Sequence, residues 1–176
     1  MKPELPGRQS YILERQVNTM QGRMKNHQLN AEQITDLLNK TDVGTLATLN
    51  SDGTPYATPI HFVYDGDAIY FHGLPVGQKL GNIEADPRVS FTAYNMDGLL
   101  YDESGHPCET NTKYQSVIVQ GRAEKLTDLE HKRTVLGMII RKYTPHQAEN
   151  PFSDARVRGT AVVKIAIDAI TGKYYE

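Results

Sequence analysis

The strongest constraint on the fold is a series of short β-rich segments between residues 43 and 72, each separated from the next by a turn. The turn Asn-Ser-Asp-Gly at residues 50–53 precedes a second extended run at residues 54–64. Strands joined by such short turns pair as antiparallel hairpins, whereas parallel strands need a crossover of about a dozen residues or more. The pattern therefore predicts a β-meander that ends at His72, and it argues against a parallel nucleotide-binding sheet.

Helices and further strands are predicted around this meander. A capping box formed by Asn30 and Gln33 should open a helix that ends near Lys40. A short helix is predicted at residues 78–86, and the longest helix at residues 127–144. The other strands are predicted at residues 88–94, 114–124 and 159–167, followed by a short extended tail. This order predicts a mainly β protein, a β-barrel with flanking helices.

The 176 residues fit a single domain preceded by an arm. Residues 1–29 contain Pro3, Pro6 and Gly7 among many polar side chains, so we predict an N-terminal arm with one short helix. Residues 30–176 form the predicted domain. Residues 95–113 are polar and turn-like, and we place this long loop over a site because long loops in compact domains are often functional.

Charge and hydropathy exclude several classes of protein. Lys and Arg total 19 against 21 Asp and Glu, a net charge of −2 that argues against binding to DNA or RNA. No apolar run approaches the roughly 18 residues of a spanning helix, so we expect no membrane insertion. The single cysteine, Cys108, cannot form an intramolecular disulfide, and the N-terminus lacks an apolar signal-peptide centre, so we expect a cytoplasmic protein.

Several kinds of catalytic site are also disfavoured. His61 and His72 have no Cys or carboxylate near them at ligand spacing, so we expect no metal site. Cys108 lies two residues from His106, a spacing that rarely supports nucleophilic catalysis, and we interpret it as a buried or loop thiol. No Gly-x-Gly-x-x-Gly follows a strand, which argues against a dinucleotide site of the Rossmann type.

The segment from His72 to Lys79 is the most informative for function. It joins a strand end to a helix N-terminus through a loop containing Gly73 and Gly77, and it places Lys79 in the first helical turn. Backbone N–H groups, the helix dipole and a lysine together suit a phosphate. The alternative is an ordinary strand-to-helix connection with a solvent-exposed lysine, because glycine-rich loops are common.

His61 and His72 each lie beside a phenylalanine on a predicted strand. Either histidine could donate a hydrogen bond or a proton to a reducible ligand, because imidazole titrates near neutral pH. The alternative is a pair of strand histidines with structural hydrogen bonds. The sequence pattern leaves both interpretations open.

Several motifs occur in an order that is shared with a known family. They are Asp-Gly-Thr-Pro-Tyr-Ala-Thr-Pro-Ile-His-Phe at residues 52–62, Ala-Ile-Tyr-Phe-His-Gly at residues 68–73, Gly-Gln-Lys-Leu at residues 77–80, Asp-Pro-Arg-Val at residues 86–89 and a later segment at residues 113–123. This order resembles the pyridoxamine 5'-phosphate oxidase-like FMN-binding split barrels over residues 30–167. Within that superfamily the chain is most similar to the nitroimidazole-reductase (Nim) resistance family, whose third strand similarly ends in Tyr-Phe-His.

The resemblance implies a six-stranded antiparallel split barrel of Greek-key type with two or three flanking helices, which binds FMN or, alternatively, FAD. It also implies a homodimer with both cofactor sites at the interface, which would account for a modest core with no Trp and 4 Phe. His72 is implied as the catalytic residue. The implied cofactor-binding residues are Thr58, Pro59, Ile60 and His61 through main-chain groups, Phe71 and His72 at the flavin or ribityl chain, Gln78 and Lys79 at the phosphate, and Ser116.

Two departures from the vitamin oxidases bear on activity. Those enzymes have an Arg-Lys pair where this chain has Gln78 and Lys79, and their Arg-rich substrate-binding tail is not matched by residues 171–176. We therefore expect an FMN-dependent reductase of small flat acceptors such as 5-nitroimidazoles, whose physiological substrate and electron donor the sequence does not identify. The alternatives are a flavin- or haem-binding module without turnover, and an oxidase of a pyridoxine-type phosphate.

Overall fold

A computed structural model describes residues 22–176 of the chain. Residues 1–21 of the predicted N-terminal arm therefore lie outside the described residues, and residues 22–29 of the arm are described. Its last residues are hydrogen-bonded to the end of the domain: the Leu29 N–H donates to the Gly172 carbonyl at 3.0 Å, and the Tyr174 N–H donates to the His27 carbonyl at 3.1 Å. Leu29 is buried against the domain.

Within residues 22–176 the chain forms seven strands and four α-helices, with short 3₁₀ turns between some of them. The strands are β1 (Val43–Leu49), β2 (Pro55–His61), β3 (Val63–Tyr64), β4 (Ala68–Gly73), β5 (Arg88–Leu100), β6 (Asn111–Lys125) and β7 (Ala161–Tyr175). The helices are α1 (Ala31–Lys40), α2 (Gln78–Ala85), α3 (Leu129–Tyr143) and α4 (Asp154–Gly159). The predicted capping box of Asn30 and Gln33 opens α1.

The strands form one antiparallel sheet in the order β2-β1-β5-β6-β7-β4-β3. His61 ends β2 at one edge of this sheet and Val63 begins β3 at the other edge, with Phe62 alone between them. Two edges joined by one residue must lie side by side, so the sheet curls into a barrel. The predicted mainly β barrel with flanking helices is thereby confirmed.

The interior of the barrel holds the principal hydrophobic core. On β6 the buried residues are Val117, Val119, Gly121 and Ala123, and they include the three that the sequence alternation placed on one face. Leu38 of α1 and Leu80 of α2 pack into the same core, whereas α3 covers the outside of β3, β4 and β7 with a second cluster. The helices thus close the barrel and leave the outer face of β1, β5 and β6 uncovered by any described helix.

Three predicted boundaries differ from the structure. The single strand predicted at residues 54–64 is divided at Phe62, which is why seven strands replace the predicted six. The loop predicted at residues 95–113 is reduced to residues 101–110, because β5 and β6 continue pairing past a register shift near Gly98. At this position the glycine φ of +111° permits the irregularity. The predicted extended tail is continuous with β7.

The side chain of Tyr143 stabilises the crossing between β2 and β3. Its hydroxyl accepts a hydrogen bond from the Phe62 N–H at 2.8 Å and lies 2.7 Å from the carbonyls of both Phe62 and Asp42, to one of which it donates. Because Phe62 lies between two strands, its backbone polar groups lack a place in either ladder. A side chain from α3 replaces the missing strand partner.

We expect Tyr143→Phe to lower the free energy of unfolding by about 1–2 kcal/mol, since the Phe62 N–H loses its partner in a partly buried setting. Urea denaturation measures this change. Tyr64→Phe is the matched control, because the Tyr64 hydroxyl bonds the Gly66 carbonyl in an exposed turn and its loss should cost less than about 0.5 kcal/mol. Equal effects of the two substitutions would contradict the role assigned to Tyr143.

Candidate functional site

The candidate site begins where β4 ends and α2 starts. Gly77 is the N-cap of α2 with a φ of +147°, a backbone conformation that favours glycine. Among the described residues no side chain caps this helix, whereas Asn30 caps α1 and Asp128 caps α3. The first N–H groups of a helix have no intrahelical acceptor, so the start of α2 presents backbone donors at the positive end of its dipole.

Lys79 lies in the first turn of α2 and adds a positive charge to this end. Its side chain is half-buried, and its Cε lies 4.0 Å from the point where a Cβ on Gly73 would stand. Lys79 therefore lies beside the last residue of β4, next in sequence to His72. Backbone N–H donors and an ammonium group are the donor set that a phosphate ester requires.

The side chain of Gln78 is hydrogen-bonded within the protein. Its side-chain amide donates to Asn82 and Asn50, at the junction between α2 and the β1–β2 turn. Its backbone N–H belongs to the first helical turn. Any contact of Gln78 with a phosphate would therefore be made by the backbone.

His72 and His61 lie near each other at the ends of β4 and β2; both residues reach solvent, but surrounding protein partly screens the His72 imidazole from water. The His61 ring stacks on the Tyr143 ring, with centroids 4.6 Å apart and planes inclined by 24°. Partial burial lowers the pKa of His72 below the ordinary value of 6.5, and the neighbouring His61 lowers this pKa further. The lowered pKa favours the neutral imidazole, which can donate one N–H hydrogen bond.

We expect His61→Ala to raise the pKa of His72 toward 6.5 without restoring it fully, because burial is the larger cause. Titration of the His72 ring protons by NMR measures this shift. His131→Ala is the control, since His131 packs against Tyr70 on the other part of β4 and should leave the titration of His72 unchanged. An unchanged pKa of His72 in His61→Ala would contradict the coupling of the two rings.

The residues of β2 present mainly backbone toward the site. Ile60 belongs to the core with 7% of its surface exposed, and Thr58 is half-buried on the same side of the strand. Pro59 and His61 face outward. Phe71 on β4 is 1% exposed, so its ring fills the barrel and only its backbone can meet a ligand.

Ser116 is separated from the other predicted site residues within one protomer. It pairs with Tyr94 on β5, and β5 and β1 lie between β6 and β2 in the sheet. Three strand spacings amount to about 14 Å, so Ser116 does not contact His61. Within one protomer His61 and His72 lie close together, the Lys79 side chain lies beside Gly73 on the opposite face of β4 from the His72 side chain, and Ser116 lies apart.

The outer face of β1, β5 and β6, between His61 and Ser116, is apolar and exposed. Val43, Tyr94, Met96 and Ile118 have between 42% and 64% of their surface exposed. A groove of about 730 Å³ lies on this face, lined by Val43, Tyr94, Met96 and the predicted site residue Pro59, among others. The lining of this groove combines these apolar side chains with polar ones such as Asp42, Asn95 and Gln115.

Comparison with known families agrees with this arrangement. A family model described as pyridoxamine 5'-phosphate oxidase matches residues 30–174. The chain belongs to this family. The resemblance inferred from the motif order is thereby confirmed. Among curated protein sequences none matches the chain significantly.

Solved structures of similar fold support the assignment to the pyridoxamine 5'-phosphate oxidase family. A candidate 5-nitroimidazole antibiotic resistance protein from Bacteroides thetaiotaomicron is 28% identical, with 83% of this chain and 85% of that chain covered and a TM-score of 0.72. An FAD-binding protein from Mesorhizobium loti is 25% identical, with 85% and 97% covered and a TM-score of 0.61. An FAD- and heme-binding protein from Mycobacterium smegmatis shares the fold at 24% identity, with 85% and 74% covered and a TM-score of 0.77.

Two features of this family member were missed in the sequence. Asn82, with its partners Thr48 and Asn50, forms a buried polar cluster beneath the start of α2. Tyr143 supports the His61 ring from the distant helix α3. The sequence signal for the Asn82 cluster was the spacing of Gln78 and Asn82, which lie one helical turn apart on α2.

Within residues 22–176, none of the helices is both long and apolar enough to cross a membrane.

Proposed function

We propose that this protein is an FMN-dependent reductase of small flat acceptors, with nitroaromatics such as 5-nitroimidazoles as the substrate class. The observation that carries the proposal is that the uncapped start of α2, with Lys79 beside Gly73, adjoins the end of β4 at which His72 precedes Gly73 in sequence. One end of this site suits a phosphate and the other suits hydrogen bonding to a polar acceptor. Similarity to the candidate resistance protein of Bacteroides thetaiotaomicron supports the substrate class.

The donor set at the start of α2 fits the phosphate of FMN. Lys79 and the backbone N–H groups of Gln78 and Lys79 would hold that phosphate, and main-chain groups of residues 58–61 and of Phe71 would line the flavin. Bound flavin would supply the electron-transfer chemistry. The chain's own residues bind and orient the reactants.

His72 would act on the acceptor. Its neutral imidazole would donate an N–H hydrogen bond to an oxygen of the nitro group and so orient it. As the pH falls through the lowered pKa of His72, the imidazole gains a second donor and a positive charge. The His61 ring, which stacks on the Tyr143 ring, lies near His72.

We also propose a homodimer that brings Ser116 of a second protomer to the site. The uncovered apolar face of β1, β5 and β6 supports this assembly, because it adjoins His61 and Pro59 and carries large exposed side chains. Sedimentation equilibrium tests the proposal. A molecular mass twice that of the 19.7 kDa chain is expected, and a monomer at micromolar concentration would contradict it.

A flavin-binding module without turnover is the second candidate function, favoured by similarity to the FAD-binding protein of Mesorhizobium loti. Such a protein would retain FAD or FMN and leave nitro compounds unchanged. A pyridoxine-type oxidase would instead produce pyridoxal phosphate. The three functions therefore differ in their products.

The proposal is tested by the visible spectrum of the purified chain, followed by a turnover assay. After incubation with FMN and removal of the excess, we expect a retained flavin band. Addition of a 5-nitroimidazole to the dithionite-reduced protein should then reoxidise the flavin and consume the nitro absorbance. A retained band without loss of the nitro compound would favour the non-catalytic module, and no retained band would overturn the FMN assignment.

A further inference from the structure

The side chain of Asn82 is a buried carboxamide in the middle of α2, with 3% of its surface exposed. Its Nδ2 donates to Thr48 Oγ1 at 3.0 Å and to Asn50 Oδ1 at 2.9 Å, and its Oδ1 accepts from Gln78 Nε2 at 2.9 Å. Both amide hydrogens are therefore used. A buried amide costs free energy unless it is hydrogen-bonded, so this complete set of partners holds the side chain in one orientation.

Gln78 connects this buried amide to the first turn of α2. Its Nε2 donates to Asn82 Oδ1 and also to Asn50 Oδ1, the latter at 3.2 Å. Both of its side-chain donors thus point into the junction between the helix and the β1–β2 turn. Gln78, the residue that begins the helix, is therefore held by two side-chain hydrogen bonds.

The β1–β2 turn on the other side of the junction is itself constrained. Asn50 Nδ2 donates to Thr54 Oγ1 at 3.0 Å, and the Thr54 N–H and hydroxyl both donate to Asp52. The backbone of Asn50 also bonds Thr54 at 2.9 Å. The side chains of Asn82 and Gln78 are therefore hydrogen-bonded to a turn whose own conformation is held by hydrogen bonds.

The loop before α2 offers little anchorage of its own. Leu74 and Val76 are 79% and 80% exposed, and Gly77 places no side chain against the protein. Leu80 and Ile83 pack into the core and hold the body of the helix. Within the described residues, the amide cluster adds to the packing of Leu80 a set of hydrogen bonds that tie the first residue of the helix to the β1–β2 turn.

We propose that Asn82 is a positioning residue for phosphate binding. Through Gln78 and Asn50 it holds the first turn of α2 in place, so that the N–H groups of Gln78 and Lys79 and the Lys79 ammonium group converge on one point. This inference rests on the proposed FMN site. It assigns Gln78 to the support of the phosphate site through its side chain, where an Arg in its place would contact the phosphate directly.

A purely structural role for Asn82 predicts a different result from a positioning role. A general loss of stability would weaken the binding of every flavin, whereas a displaced first turn weakens only the contact with the phosphate. Riboflavin is the probe that separates the two, because it is FMN without the phosphate. The quantity to measure is the ratio of the Kd for riboflavin to the Kd for FMN.

We expect Asn82→Ala to lower this ratio by about tenfold while the Kd for riboflavin stays within about twofold, since a freed turn must be ordered again by the phosphate. Flavin fluorescence quenching on the full chain, freed of bound flavin, measures both constants. Thr48→Val is the matched control. It removes the Asn82–Thr48 hydrogen bond but keeps the bonds of Asn82 to Gln78 and to Asn50. It should therefore lower the stability of the protein and leave the ratio of the two Kd values unchanged.

Gln78→Ala provides a second variant in case Asn82→Ala does not fold. Gln78 is exposed, and its truncation cuts both side-chain bonds of the first turn, so a similar loss of phosphate preference is expected. Retention of the wild-type ratio in Gln78→Ala and in folded Asn82→Ala would overturn the positioning role alone. A wild-type chain that binds FMN no more tightly than riboflavin would instead overturn the phosphate site itself.

Discussion

Replacing His72 with alanine is expected to lower kcat/KM for the reduction of a 5-nitroimidazole by at least about hundredfold, the effect of losing a positioned hydrogen-bond or proton donor. The side chain reaches solvent at the end of β4, and its lowered pKa favours the neutral imidazole. Its removal takes away a donor at the proposed site and leaves the barrel core intact. Stopped-flow reoxidation of the reduced, FMN-loaded protein by the nitro compound measures the change.

Two companion variants make the His72 result interpretable. His72→Gln keeps an N–H donor without a titrating ring, so it should recover part of the lost rate and remove the dependence of the rate on pH near the His72 pKa. His131→Ala, on α3 against Tyr70, should behave like the wild type. Wild-type turnover in His72→Ala would remove the proposed role and favour a module that binds flavin without turnover.

The prediction of the barrel from sequence depended on local periodicity. On β6 the alternation of Val117, Val119 and Ala123 with polar residues reports one buried face, because successive side chains of a strand point to opposite sides. The break at Phe62 was not predictable in this way. Residues 54–64 form one extended run, and the partner that replaces the ladder there is the hydroxyl of Tyr143, 81 residues further along the chain.

The same distinction applies to the candidate site. His72, Gly77 and Lys79 lie within one strand, one loop and one helical turn, so their proximity follows from the sequence alone. The Asn82 cluster joins residues 34 and 32 positions apart, and no periodic pattern indicates which distant polar side chains will meet. Phe71 illustrates a further limit, because a residue of the motif Tyr-Phe-His that looks like a ligand contact has its side chain in the core. A resemblance names positions, whereas packing decides which side of the strand each side chain occupies.

Replacing Lys79 with methionine is expected to raise the Kd for FMN by about hundredfold, since a charge-assisted contact with a partly desolvated phosphate is lost. The methionine keeps the aliphatic stem that lies against Gly73, so the packing of α2 beside β4 is retained. The Kd for riboflavin should not change, because riboflavin has no phosphate. Fluorescence titration at two ionic strengths measures both constants, and the salt dependence of FMN binding should weaken in the variant.

Lys79→Arg and Lys125→Met complete the test of the phosphate contact. Arginine restores the positive charge at the start of α2 and should recover most of the affinity for FMN. Lys125 pairs with Glu84 at the other end of the same helix at 3.0 Å, so its neutralisation changes the net charge equally but leaves the phosphate end untouched. Equal losses of FMN affinity in Lys79→Met and Lys125→Met would show a general charge effect and contradict a phosphate site at Lys79. A loss confined to Lys79→Met, restored by arginine, would locate the phosphate at the first turn of α2, next to the end of β4.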